Sequence, residues 1–499
     1  MKNTKLMTRL LVLVLSLCML LSMLAACNTE KEDPTKTGDP TTTNGETGPA
    51  TDVYGKILDE LPTTNFDREF TILAVQSQKA HFYLAEEDLE GADNVKKAIY
   101  DRNATVEDRM GVTFNWVFEP GQADAAEIAS FIQKVETDCK GDGEYDSVIA
   151  YNLVPYPLAN RGLCENLNDT DYIDLTAPWW PSIFIERLLY KDQLYALVNS
   201  CGYGTLTNMT AIYFNNTQLA DRNIASPYDL VKENNWTAAT LKTLIKDTYE
   251  DVSGDGKVGK DDLYGLATST NARLTCWYVG FGGRLSDVDG NGDLQLTVGG
   301  EHMGTVVDTI VDLFSTQDSL VTDAKQYTMF YEERAIFYLA PLTLSSNIVK
   351  KALEINYGVA PIPKLTSAQD RYYTHVPNTH EAYFITVAAK DKGCSSYFLE
   401  CMASEAYRQI NDVFFETNLK LRYAPDERLA DMYDLVRDSI SFDFLYIYKN
   451  ILTNDCDKAL RNCISDSVTY TWATEWAAIG TSVETDFQKI LDTYNSNQG

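Results

Sequence analysis

Residues 211–266 read AIYFNNTQLADRNIASPYDLVKENNWTAATLKTLIKDTYEDVSGDGKVGKDDLYGL, and their reading decides the fold. Residues 211–214 form a short apolar run that Asn215 and Asn216 stop. Pro227, Asn234 and Asn235 punctuate the loop that follows. Thr237 then opens a helix, because its hydroxyl can cap a free backbone N–H. Leu241, Leu244, Ile245 and Thr248 recur at helical spacing behind it. An acidic, glycine-rich loop ends the helix, and Tyr264, Gly265 and Leu266 begin another strand.

Working outward, residues 70–75 read as a first strand, 93–110 as an amphipathic helix stopped by Gly111, and 112–117 as a second strand. A helix over 125–139 and a turn over 141–146 lead into a strand at 147–151. Residues 194–198 form another apolar run. Beyond the opening stretch, 271–283 starts a helix with a glycine stop, and 286–298 reads as a hairpin through Asp289, Gly290, Asn291 and Gly292. A helix over 304–316 and strands at 330–341, 357–363 and 383–388 follow, and the chain from 395 to 494 reads as helical. There is no internal repeat.

The order of these pieces resembles the family 1 extracellular solute-binding proteins of ATP-driven importers, which include sugar binders. The resemblance rests on the strand at 212–215, PYDLVK at 227–232, Trp236 and Thr237, and DLYGL at 262–266. It extends to GVTF at 111–114, the segment 163–180 ending in PWW, and YGVAPIP at 357–363. It implies an α/β, two-lobed, type II periplasmic-binding-protein-like fold, with hinge-connected lobes and a central ligand cleft. The implied boundaries place 66–210 and 338–381 in lobe 1, and 211–337 and 382–497 in lobe 2. The implied function is capture of a carbohydrate, an oligosaccharide, for delivery to a membrane permease, by a monomer with no catalytic step.

The first residues agree with such an address. Lys2, Lys5 and Arg9 precede an apolar run at 10–23, too short to span a bilayer and suited to a signal-peptide core. Leu24, Ala25, Ala26 and Cys27 then resemble a bacterial lipoprotein cleavage site. This implies a signal peptide over 1–26 and a Cys27 that carries lipid at the outer face of the cell membrane. The rest of 27–65 is a tether, and its Thr, Pro, Gly and Glu content lacks the apolar periodicity of a folded segment.

Charge and cysteine bound the rest. The formal net charge is −30, and removing 1–26 takes away three basic residues and no acidic one, leaving −33. Such a balance repels nucleic acid and anionic membrane, and favours solubility. Eight cysteines follow Cys27, with no C-x-x-C, and free and paired states are equally open.

Residues 251–262 carry the sharpest local motif. A calcium loop of twelve residues wants oxygen donors at positions 1, 3, 5, 7, 9 and 12, and glycine at 6. Asp251, Ser253, Asp255, the Lys257 carbonyl and Asp262 fill positions 1, 3, 5, 7 and 12, and Gly256 sits at 6. Asp262 departs from the usual longer Glu. The expectation is a structural calcium ion, against the alternative of an acidic turn without metal. The similar stretch at 287–293 reads as a hairpin turn. His81, His302, His375 and His380 make no paired-ligand spacing, and neither a G-x-S-x-G nor a P-loop occurs.

Seven Trp and 30 Tyr suit sugar binding, since a pyranose presents an apolar face to a flat ring and hydroxyls to placed polar groups. Trp116 and Trp236 read as core, and Trp179 and Trp180 as either core or cleft. The family resemblance points to Tyr151, Asn152, Tyr203, Asn271, Arg273, Trp277, Pro341, Glu381 and Trp472 as ligand-binding positions. It also shows a departure, Leu342, where some relatives carry a stacking Trp. The alternatives are a surface-anchored polysaccharide-active enzyme, or an importer component for peptide or polyamine.

Overall fold

The computed structural model describes residues 58–496, apart from 122–123, 200–201, 270–272, 323–326, 352 and 424–426. Cys27, Cys201 and Asn271 lie outside the described residues.

In chain order the elements that position the site are β1 (Arg68–Val75), α1 (Asn94–Met110), β2 (Val112–Glu119), α2 (Ala125–Lys140) and β3 (Ser147–Tyr151). Then come α3 (Tyr203–Asn208), β4 (Thr210–Asn215), α4 (Ala238–Ile245), β5 (Tyr264–Ser269) and α5 (Arg273–Gly280). The hairpin β6 (Ser286–Val288) and β7 (Leu294–Leu296), α6 (Glu301–Phe314), β8 (Ser319–Thr322), β9 (Ala335–Pro341) and α7 (Thr343–Lys350) follow. Next are β10 (Tyr357–Ala360), β11 (Thr374–His375), β12 (Glu381–Phe384) and α8 (Lys392–Asn411). A π-helix (Asp412–Tyr423), α9 (Glu427–Asp438), β13 (Ile440–Ser441), α10 (Cys456–Ser465) and α11 (Trp472–Ser496) complete the chain.

Two main sheets result. The first runs β12-β3-β1-β2 and the second β10-β4-β9-β5-β8. β1 pairs parallel with β2 and β3, and β12 closes the first sheet antiparallel to β3, Glu381 opposite Tyr151. β4 lies antiparallel between β10 and β9, and β5 runs parallel to both β9 and β8. β3, β4 and β5 are buried along their whole length, as strands covered on both faces must be.

Local chemistry sets the ends. The Asp93 carboxylate accepts from the Lys96 N–H and opens α1, and Gly111 closes it at φ 63°. A side chain at Gly111 would also strike the Asn65 amide oxygen, 2.0 Å from an added Cβ. Thr237 caps α4 as its sequence position implies, its hydroxyl accepting from Thr240 N–H at 3.2 Å. Trp236 is wholly buried, and its indole N–H reaches the Pro361 carbonyl at 2.7 Å, pinning the start of α4 beside the end of β10. Trp116 packs half-buried against Phe82 and Phe118.

Two expectations need correction. Residues 338–381 were expected in the first lobe, but β9 and β10 pair with β4 and so belong to the second sheet. Residues 382–497 were expected in the second lobe, and α9, α10 and α11 do pack on β10 and α6 there, but β12 pairs in the first sheet and α8 packs on α1. Strand membership is fixed by partners far along the chain, which the order of elements does not reveal. The apolar run 194–198 meets the first sheet through an isolated bridge, Leu197 to Tyr383.

The seven described cysteines are free, and six of them are buried. No helix among the described residues is long and apolar enough to cross a membrane.

Candidate functional site

The carboxyl ends of β1 and β3 build the first wall, where open α/β sheets place ligands. Ser77 follows β1, and its hydroxyl meets the Tyr151 hydroxyl at 2.9 Å while donating to the Gly121 carbonyl. Glu381, opposite Tyr151 in β12, is wholly buried. Its carboxylate accepts the Gly204 N–H at 3.0 Å and stands 3.5 Å from His81 Nδ1. Burial acts to raise the Glu381 pKa, but His81 and the Gly204 N–H outweigh it and hold the group below its ordinary range. Only glycine fits at 204, since an added Cβ would fall 1.7 Å from Glu381 Oε2.

That buried carboxylate seats the start of α3 and with it Tyr203. The Tyr203 ring is half-buried, edge-on to His81 at 5.5 Å and to Phe414 at 5.2 Å. Asn152 is buried one residue past β3, where its side chain binds Asn378 at 3.1 Å and receives the Tyr156 hydroxyl at 3.2 Å.

The second wall stands where β5 and β9 end. Arg273, the first residue of α5, donates to the Leu339 carbonyl at 2.9 Å and to the Tyr327 hydroxyl at 3.2 Å. Its guanidinium lies 5.2 Å from the centre of the Tyr327 ring. Pro341 ends β9 half-buried, and Leu342 behind it is buried.

The segment 202–209 leads the chain into the second wall. Leu342 N–H bonds the Met209 carbonyl at 2.9 Å, and the Thr210 hydroxyl bonds the His375 carbonyl at 3.0 Å. The second of these bonds joins the end of the outward segment to the returning segment 361–380, and the first ties it to the end of β9.

Of the positions expected to touch a ligand, Tyr203, Arg273 and Pro341 keep partly open faces. Tyr151 and Asn152 are buried and serve as supports. Glu381 is shut off beneath Gly204 and positions Tyr203 rather than facing a ligand. Trp277 is wholly buried between Phe281 and Phe314, with its indole N–H 3.3 Å from Thr268 Oγ1. Trp472 is buried as well, donating to the Val298 carbonyl at 3.1 Å. Both indoles are committed to the core because each finds a polar partner there, so neither offers a stacking face in this conformation. Sequence reasoning missed Ser77, His81 and Tyr327. His81 and Tyr327 come to the walls through contacts 300 and 54 residues away, and no local pattern marks them.

The arrangement suits a neutral polyhydroxylated guest. It offers aromatic edges, a guanidinium already oriented by a carbonyl, and hydroxyl groups. Two grooves, of about 600 and 730 Å³, are lined by α4, α6, the β6–β7 hairpin and residues 365–373, with none of the wall residues above among their linings.

In the acidic loop, Ser253 Oγ lies 3.1 Å from Asp251 Oδ1 and 3.2 Å from Asp255 Oδ1, so three of the expected oxygen donors gather. Gly256 turns the chain at φ 72°, and Glu250 and Leu263 exchange backbone hydrogen bonds across the neck. Asp262 instead accepts from the Tyr249 hydroxyl and the Gly259 N–H, at 2.8 and 2.9 Å. Among the described residues, no group of three or more His, Cys, Asp or Glu side chains converges as a metal site would.

No family model matches the sequence, and no curated protein sequence matches it. Solved structures do. The GacH receptor of Streptomyces glaucescens, solved unliganded and with acarbose, aligns over 86% of this chain and 99% of its own, at 13% identity and a TM-score of 0.53. The cyclic alpha-maltosyl-1,6-maltose binding protein of Arthrobacter globiformis aligns over 86% and 99%, at 12% identity and 0.54. An ABC substrate-binding protein of Listeria monocytogenes in complex with cycloalternan aligns over 85% and 99%, at 10% identity and 0.52. With its two sheets and the segments that cross between them, this chain has the two-lobed, maltose-binding-protein-like fold of the type II solute-binding proteins.

Proposed function

We propose that the protein captures an oligosaccharide between its two lobes and delivers it to the membrane permease of an ATP-driven importer. The observation that carries this is the match to sugar-binding proteins over 97–100% of their own length, with Tyr203 and the Arg273–Tyr327 pair at the crossing. A ligand stabilises closure only through contacts to both lobes, and each wall supplies its own set. The protein acts as a monomer and breaks no bond; Glu381, the carboxylate of the first wall, is enclosed and engaged. Lipid at Cys27, outside the described residues, holds it at the outer face of the membrane.

Calorimetric titration against linear and cyclic α-glucans tests the reading. Saturable binding is expected, weakened at least about tenfold, or 1.4 kcal/mol, by Tyr203→Ala. Tight binding of a peptide or polyamine with no response to any glycan would overturn it.

The loop 251–262 is proposed to take a structural calcium ion. Its support is the gathering of Asp251, Ser253 and Asp255 around a closed neck. Calcium is expected to raise the melting temperature of the intact chain but not of Asp251→Asn. Equal melting with calcium and with chelator would dismiss the ion.

A further inference from the structure

Among the described residues, three passages join the two lobes. Two are the crossing segments 202–209 and 361–380. The third is less ordinary. α8 packs on α1 of the first lobe, and α9 packs on β10 of the second. Between α8 and α9 the chain winds as a π-helix for 12 residues, Asp412–Tyr423. Such winding bonds residue i to i+5, is rare, and is mostly confined to single turns at functional places. A run this long needs to be held from outside.

Both lobes hold it. From the first, Tyr203 meets the Phe414 ring edge-on at 5.2 Å, and Asn94 exchanges amide hydrogen bonds with Asn418, both at 3.2 Å. From the second, the Arg437 guanidinium lies 4.3 Å from the centre of the Phe415 ring, and Lys420 pairs with Asp434 at 2.9 Å. Phe414, Phe415, Asn418 and Leu419 are all buried, and their offsets of four and five residues put them on one face of a π-wound coil. Nearby, Lys350 of α7 stands 4.0 Å from Asp93 at the start of α1, a further ion pair between the lobes.

We propose that residues 412–423 are the extensible joint of the third passage, and that Phe414 couples it to the guest-facing ring of Tyr203. A rotation of one lobe against the other pulls the two sets of contacts apart or together. The same residues wound as α-helix would reach further and turn their ends, because each turn then takes up fewer residues. Trading π for α winding therefore accommodates the rotation without breaking the buried face. The coupling to a guest rests on the binding-protein reading above; the joint itself does not.

Deletion of the exposed Thr417 removes a residue from the joint and favours α winding. Small-angle X-ray scattering of the full chain without ligand is expected to show a shifted radius of gyration. Maltotetraose affinity is expected to change at least about tenfold. A folded deletion variant with the scattering curve of the unaltered protein would overturn the proposal. Should the deletion fail to fold, Phe414→Ala releases the first-lobe grip and is expected to shift the same curve; an unchanged curve again overturns it. If the unaltered protein binds no glycan while the scattering shift is seen, the binding reading fails and the joint stands.

Discussion

Glu381 and Glu400 are both buried carboxylates of the first lobe, 19 residues apart in sequence, and their surroundings treat them in opposite ways. Glu381 lies at the crossing, with His81 3.5 Å away and the Gly204 N–H on its other oxygen. Glu400 lies on α8 against the PWW segment, where the indole N–H groups of Trp179 and Trp180 each reach one oxygen at 2.9 Å. Burial pushes the Glu400 pKa up to about 8, because two neutral donors and the Asp174 N–H do not repay the lost hydration. Equal burial thus gives opposite titration. What decides is whether a group that can carry positive charge stands beside the carboxylate.

The strongest way to break this pair is Gly204→Val. The new side chain would have to occupy the place of Glu381 Oε2, and the enclosed carboxylate has nowhere to retreat. Overpacking against a buried charge should cost about 3 kcal/mol or more in urea unfolding and displace Tyr203. A loss under about 0.5 kcal/mol, the range of ordinary surface changes, would show that the site is softer than its geometry implies.

A smaller effect sharpens the other half. The folded pKa of Glu400 is raised, so its favourable contribution is complete below the unfolded value near 4.5 and is lost as pH rises to about 8. Above that it is constant. Glu400→Gln cannot ionise, so its unfolding free energy should be flatter over the same window, by a few kcal/mol at most. Parallel stability profiles for the variant and the unaltered chain would refute the assignment. The Glu381 contribution has the reverse sign: a lowered pKa gives stability that disappears as pH falls through the folded value.

The same contrast explains what could be read from the sequence. The strands at 70–75, 112–117 and 147–151, the Thr237 cap and the Gly111 stop depend on neighbours within a few residues, and all take the expected form. The site depends on distant partners. Trp472 meets a carbonyl 174 residues away, and the composition of its own helix could not tell a core indole from a cleft indole. Trp179 and Trp180 were open between core and cleft until Glu400 supplied their partner. The lobe boundaries failed for a related reason. β9 and β12 belong to opposite sheets, yet both are short apolar strands, and only pairing with β4 or β3 separates them.

The bond between the Thr210 hydroxyl and the His375 carbonyl has a mechanical consequence. Two straps that ran independently between two bodies would let those bodies slide, twist and swing. Stitched together where they cross, they act as a single pivot, like a door hung on one continuous leaf. The swing is left free and the slide is not, so a guest arriving at one wall meets the opposite wall in a constant register.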